Sequence, residues 1–233
     1  DKSNLNHSFN GMTYLDIYHK NFQHLKYQKV KLLELGVQGG NSIRTWGIDS
    51  ETDELLENAK RNDITVCFGI WIGQERQGFD YSNKDALESQ LEMVRETVRK
   101  YKNHPSILIW GIGNEMDLDY TNFEVWKHME EICKIVKEED PNHPTMLVTA
   151  GLDVAEIKLI KKNTPSLDIL GINTYGNISY IKEAIIMYDW DKPYIIAEWG
   201  PYGWWEVEKT KLEDVAAKLK DQDSLVSDQT QEV

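Results

Sequence analysis

Three features predict an α/β protein built as a (β/α)8 TIM barrel. Short, wholly apolar runs alternate with amphipathic stretches over most of the 233 residues. Two of these runs, residues 107–115 (ILIWGIGNE) and 194–198 (YIIAE), stop abruptly at a glutamate. The length falls just under the ~250 residues typical of such a barrel. Continuous apolar runs mark strands of a parallel sheet buried on both faces, and a β/α barrel keeps its chemistry at the C-terminal ends of those strands.

The elements follow in order. Residues 25–35 carry apolar side chains at helical spacing and stop at Gly36, a C-cap glycine. A short strand at 42–46 precedes a helix at 53–62 and a strand at 64–71 rich in β-branched and aromatic residues. The long helix at 85–101 sets Leu87, Leu91, Val94 and Val98 on one face and is capped by Ser82 or Asn83. Strand 107–113 leads to helix 123–138, which Asp140–Pro141 ends; strand 145–149, helix 154–162, strand 167–173, helix 178–188 and strand 194–197 complete the series. Such alternation implies right-handed βαβ units. These are six strands of eight. Residues 12–18 (MTYLDIY) offer a first strand in polar surroundings, and no apolar segment after Trp205 offers an eighth, so the barrel is incomplete or atypical at both ends. Residues 1–205 read as one β/α-barrel catalytic domain, and 206–233 as a charged helix-like segment with a polar tail.

A net charge of −13 argues against a nucleic-acid partner, which needs a basic surface, and suits an uncharged sugar. No run of about 18 apolar residues exists to insert in a membrane. Beginning at Asp1 without a signal peptide, the sequence reads as a mature secreted or periplasmic form, with a cytoplasmic location the alternative. Cys67, inside ITVCFGIW, and Cys133, on the apolar side of a helix, read as buried free thiols. The six histidines lack metal-ligand spacing, and His104 and His143, each before a proline at a strand entrance, read as structural. No metal or organic cofactor is expected.

Either glutamate alone could open a solvated loop. Two at the ends of separate strands suit glycosidic cleavage, which needs a proton for the leaving oxygen and a nucleophile at the anomeric carbon. A retaining enzyme holds the two carboxyl groups about 5–5.5 Å apart. At that distance both cannot ionise cheaply, so one keeps its proton. The argument from charge does not say which.

The segment 104–115 (HPSILIWGIGNE), with Asn114 immediately before Glu115, resembles the acid/base strand of clan A glycoside hydrolases, and most of all the barrel domain of glycoside hydrolase family 2. The likeness covers about residues 39–205, with GGNSIRTWG at the second strand, GINTY at the sixth and AEWG at the seventh. It implies Glu115 as acid/base, Glu198 as nucleophile, and Asn114 on the sugar 2-hydroxyl. It also places Arg44 where a fixed guanidinium aligns Glu198, and Tyr175 where its phenol donates to the same carboxylate. The plainer readings are a surface ion pair for Arg44 and packing for Tyr175. Strand-end aromatics Trp46, Trp71, Trp199, Trp204 and Trp205 suit the apolar face of a pyranose, Trp71 and the Trp204–Trp205 pair most of all. Between them the loop residues Glu75, Arg76, Gln77 and Asp80 either bind outer hydroxyls or are simply solvated. Against the family pattern, an eighth-strand tryptophan and a clear first strand are missing.

The reading is a retaining β-glycoside hydrolase acting on an oligo- or polysaccharide. Its rivals are a transglycosylase of β-glucan type, in which a sugar hydroxyl replaces water, and a non-catalytic carbohydrate-binding protein with a degenerate barrel.

Overall fold

The computed structural model describes residues 39–202. The expected strand at 12–18, the helix at 25–35, Trp204, Trp205 and the segment 206–233 lie outside the described residues. Six strands run in order through one sheet: β1 (Ser42–Arg44), β2 (Thr65–Ile70), β3 (Ile107–Asn114), β4 (Thr145–Thr149), β5 (Ile169–Tyr175) and β6 (Tyr194–Gly200). Each pair from β1 to β5 is parallel, with Arg44 opposite Cys67, Phe68 opposite Trp110, and Leu147 opposite Leu170. Between them run α1 (Thr52–Arg61), α2 (Lys84–Tyr101), α3 (Glu124–Glu139), α4 (Val154–Asn163) and α5 (Ile181–Met187). The compact unit that carries this sheet ends at Trp199.

Neighbours in sequence are neighbours in the sheet, as repeated right-handed βαβ units require. A parallel sheet with helices on one side and a filled interior on the other is the β/α-barrel arrangement. Its two cores alternate along each strand. Val66, Phe68, Ile70, Trp110, Ile112, Leu147, Leu170 and Ile172 face the helices, and the set Cys67, Ile109, Met146, Val148 and Ile169, with Ala197 against it, fills the inside. That period of two is a strand's own geometry.

Helix ends agree closely with the sequence pattern. Asn83 caps α2, accepting from the Ala86 amide at 3.1 Å, and Asp153 caps α4 through the Ala155 and Glu156 amides. α3 buries Val125, Trp126, Met129, Ile132, Cys133 and Val136 against the sheet. Truncating a residue such as Ile132 there costs about 2–5 kcal/mol. The predicted helix at 178–188 divides into a 3-10 turn, Ile178–Tyr180, followed by α5. Both cysteines are buried free thiols, and burial pushes each thiol up to about 12, so neither is a ready nucleophile.

Glycine is required where β1 and β2 crowd together. A Cβ on Gly69 would stand 2.1 Å from the Thr45 carbonyl oxygen. The Gly69 amide donates to Thr45 Oγ1 at 2.9 Å, fixing the exit of β1 directly beyond Arg44. At the other end of the sheet, buried Asp140 accepts from the Trp110 indole at 2.9 Å and pairs with His143 at 2.7 Å. His143 therefore anchors a strand entrance, as its position before a proline suggests.

Candidate active site

Successive residues of a strand point to opposite faces, yet Asn114 and Glu115 both reach the mouth of the sheet. An irregularity in β3 makes this possible. The β3–β4 register shifts between Gly111 and Asn114. Gly113 takes φ +79° and Glu115 takes φ +51°, a conformation that costs a non-glycine residue of order 1–3 kcal/mol. The turn is held by the Glu115 amide, which donates to the Val148 carbonyl at 2.8 Å. Asp117 reinforces it from the following loop, accepting from the Ala150 amide with both oxygens at 3.0 Å. Burial pushes the Asp117 carboxyl up to about 6, with the charges of Glu115 and Glu156 adding to the rise and the Ala150 amide opposing it.

Glu198 comes from β6. One carboxylate oxygen accepts from Arg44 Nη2 in a close ion pair, and the other accepts from the Tyr175 phenol at 2.7 Å. That hydrogen bond, with burial and the charges of Glu198 and Glu115, pushes the phenol up to about 12, so Tyr175 remains a donor. Arg44 Nη1 also donates to Asn114 Oδ1 at 3.2 Å, joining β1, β3 and β6 through one guanidinium.

Glu115 is held differently. Asn173 Nδ2 donates to its Oε1 at 2.9 Å and lies 3.5 Å from Asn114 Oδ1. With two donors on its oxygen, the Asn114 amide turns its Nδ2 away from them. Arg76 Nη2 stands 3.5 Å from Glu115 Oε2. The structure thus brings Arg44, Asn114, Glu115, Tyr175 and Glu198 into one connected network.

Asn173 was not singled out from the sequence, and Arg76 was named only among loop residues that either bind outer hydroxyls or are solvated. Asn173 lies in GINTY two residues before Tyr175, so strand alternation alone places both on the inward face. Its exposure is only 2%, and its Oδ1 has no partner among the described residues. Arg76 carries no such periodic signal. Its loop neighbours are committed to structure. Glu75 accepts from the Thr121 and Asn122 amides at 2.8 and 3.0 Å and from Thr121 Oγ1 at 2.5 Å. Asp80 accepts from the Ser82 amide at 2.8 Å. Glu75 thus braces the loop with both oxygens, while Asp80 is exposed.

The aromatic candidates divide. Trp46 lies 6.0 Å under the Arg44 guanidinium. Together with Trp71 it lines a cavity of about 430 Å³ between the ends of β1 and β2 and the start of α1. Trp199, beside Glu198, is 70% exposed. Among the described residues no three His, Cys, Asp or Glu side chains gather as a metal site, and no helix is long and apolar enough to cross a membrane.

A parallel β/α barrel with charged and amide side chains converging from the C-terminal ends of four strands defines the class of barrel enzymes that act at that mouth. Residues 62–203 match the model of glycosyl hydrolases family 2, TIM barrel domain, and the chain belongs to that family. It is 24% identical over 180 residues to a beta-glucuronidase of Chlorocebus aethiops, covering 70% of this chain and 26% of that protein. It is 26% identical over 187 residues to a beta-mannosidase of Mus musculus, covering 70% of this chain and 20% of that one. Among solved structures, Bifidobacterium dentium beta-glucuronidase complexed with coumarin-3-O-glucuronide superposes with a TM-score of 0.60 at 21% identity, covering 78% of this chain and 31% of that chain. The chain therefore spans about a fifth to a quarter of the length of these curated relatives.

Proposed function

We propose that this chain is the catalytic barrel of a retaining β-glycoside hydrolase, with Glu198 as nucleophile and Glu115 as acid/base. The observation that carries the reading is the asymmetric anchoring of the two carboxyl groups inside one network. Glu198 has an oxygen on a guanidinium and an oxygen on a phenol, which orients it as a fixed attacking carboxylate. Glu115 is oriented by a neutral amide, which leaves it able to release and recover a proton.

The chemistry proceeds in two displacements. Glu198 attacks the anomeric carbon as the bond to the leaving oxygen breaks, and Glu115 gives its proton to that oxygen. The product of this half is a glycosyl ester on Glu198 with one configuration inverted. Glu115, now a carboxylate, takes a proton from water; the hydroxide equivalent attacks the anomeric carbon and expels Glu198, inverting a second time. Asn114, its oxygen fixed by Arg44, presents its Nδ2 to the sugar 2-hydroxyl, an interaction that strengthens in the oxocarbenium-like transition state. Tyr175 donates to Glu198 while it is a carboxylate, and that bond weakens when the ester forms because an ester oxygen is a poorer acceptor.

Family membership supports a glycosidase, and the names of the relatives make β-glucuronides and β-mannosides the first substrates to offer. The test is a 2-deoxy-2-fluoro β-glycoside with an acidic phenol as leaving group. It should inactivate the enzyme and add one fluoroglycosyl mass to the peptide containing Glu198. An adduct on another carboxylate, or first-formed sugar of the α configuration from an ordinary substrate, would overturn the assignment.

A further inference from the structure

The loop after β2 is built more firmly than an access loop requires, and what it holds is Arg76. Gln74 is 3% exposed; its Nε2 donates to the Asn114 carbonyl at 2.5 Å and its Oε1 accepts from Arg76 Nε at 2.8 Å. Glu75 ties the same turn to the Thr121 and Asn122 amides, and the buried Tyr81 hydroxyl donates to the Gly73 carbonyl at 2.6 Å. The guanidinium is thereby fixed at its inner nitrogen, with its outer edge toward the mouth and the side chain 27% exposed. That edge meets Glu115 only at 3.5 Å, and Nη1 has no partner among the described residues.

Position assigns this edge to one side of the reaction. The nucleophile and the leaving group occupy opposite faces of the anomeric carbon, so the leaving group lies beyond the sugar from Glu198 and against Glu115. The Oε1 oxygen of Glu115 is held by Asn173, within the network that leads through Asn114 and Arg44 to Glu198. The other oxygen, Oε2, faces Arg76. A fixed, partly desolvated guanidinium edge is shaped for two parallel hydrogen bonds to a carboxylate. With a net charge of −13 the protein as a whole does not attract anions, so preference for one must come from a local contact of this kind.

We infer that Arg76 determines leaving-group specificity by binding a carboxylate carried by the leaving group, whether that is an aglycone or the sugar on the leaving side of the scissile bond. This rests on the glycosidase reading for the direction of the leaving group. Acidic leaving groups, such as a uronic acid unit, are then favoured over their neutral counterparts. Their carboxylate takes the Nη1–Nη2 edge while Glu115 carries the proton it delivers.

The experiment uses the full chain and pairs of β-glucosides and β-mannosides whose leaving groups are 3-carboxyphenol and its neutral isostere, 3-carbamoylphenol. The ratio of kcat/KM, acid over amide, should exceed one. In Arg76→Gln it should fall about tenfold, mainly through KM, with Arg76→Lys retaining part of it. If Arg76→Gln slows both members of a pair equally, Arg76 only orients Glu115 and the inference fails. If it instead erases discrimination between a β-glucuronide and a β-glucoside of one phenol, Arg76 reads the other side of the bond, and the inference also fails. Titration of the same pairs into Glu198→Gln, with and without Arg76→Gln, reads the contact without turnover. Tighter binding of the acid member, lost in the double variant, supports the site even if the glycosidase reading falls; equal binding of both members overturns it.

Discussion

Glu198, within β6 two residues before its end, and Glu115, directly after β3, stand at the same edge of one sheet, and the two places are built in opposite ways. At β6 the carboxylate is saturated by strong donors, a guanidinium on one oxygen and a phenol on the other. At β3 the carboxylate receives one amide at 2.9 Å and a guanidinium no nearer than 3.5 Å, and it rests on a backbone bent to φ +51°. The difference matches what each end must do. A nucleophile acts as a carboxylate and gains from donors that fix it in that form. A group that gives and retakes a proton in every cycle cannot be bound so tightly to a cation, because each transfer would break a charge-assisted bond of about 1.5–3 kcal/mol.

Substitution of the saturated end should have the largest effect. Glu198→Gln cannot form a glycosyl ester, and kcat should fall about 10,000-fold or more with unchanged circular dichroism. Near-normal turnover in that variant would remove Glu198 from the mechanism.

Glu115→Ala sharpens the contrast because its cost should depend on the substrate. Poor leaving groups should slow about 1,000-fold, whereas glycosides of acidic phenols should keep their first step and accumulate the intermediate on Glu198. Azide, which needs no base, should then accelerate turnover and yield a β-glycosyl azide. A uniform loss over all leaving groups, with no azide effect, would show that β3 merely ends in a glutamate.

The supporting residues should separate along the same line. Tyr175→Phe should lower kcat/KM about 10–100-fold for good and poor leaving groups alike, since it acts on the nucleophile. Asn173→Ala should cost about tenfold and more for poor leaving groups, since it disturbs the acid. A plot of rate against phenol acidity distinguishes the two; identical slopes would erase the proposed division.

The smallest net effect concerns stability. Asp117, under the Glu115 turn, titrates at about 6 against an ordinary 3.8 because it is buried. Its contribution is fully present below pH 3.8 and is lost as pH rises through 6. Buried His128, bonded to Gln90 at 3.0 Å, is pushed down to about 4 from 6.5 by burial. Its contribution is present above pH 6.5 and is lost as pH falls through 4. Each is worth about 3 kcal/mol and the signs are opposed, so the two nearly cancel across that window. Asp117→Asn removes one of them. Its urea midpoint should drop more steeply than that of the parent between pH 6.5 and 4, and parallel profiles would contradict the opposition.

Much of this was legible in the chain. All six described strands were identified, one of them, Thr145–Thr149, to the residue; β2 to β5 read as apolar runs because a strand covered on both faces admits little else. Helices α1 to α4 fell within a residue at each end, since amphipathic spacing and capping side chains such as Asn83 and Asp153 are local properties, whereas the reading at 178–188 ran over the 3-10 turn before α5. Arg44, Asn114 and Tyr175 each end a strand and Glu115 follows one, as the family resemblance implied, while Glu198 lies inside β6, which runs three residues further than the strand expected at 194–197. Asn173 was legible in principle from its parity with Tyr175.

Other features depend on contacts that no local pattern contains. Asn114 and Glu115 share one site only because β3 shifts register against β4, whose Val148 carbonyl holds the bent Glu115 amide. Arg76 reaches Glu115 because Gln74, which holds its Nε, is bonded to the Asn114 carbonyl 40 residues on, and Glu75 is fastened to amides 46 and 47 residues further along the chain. Local sequence sets which faces are apolar and where helices begin, because those energies are summed over neighbours a few residues apart. The direction of a charged side chain at a loop or a bulge is set by hydrogen bonds between distant segments, and these exist only once the sheet has brought its strand ends together.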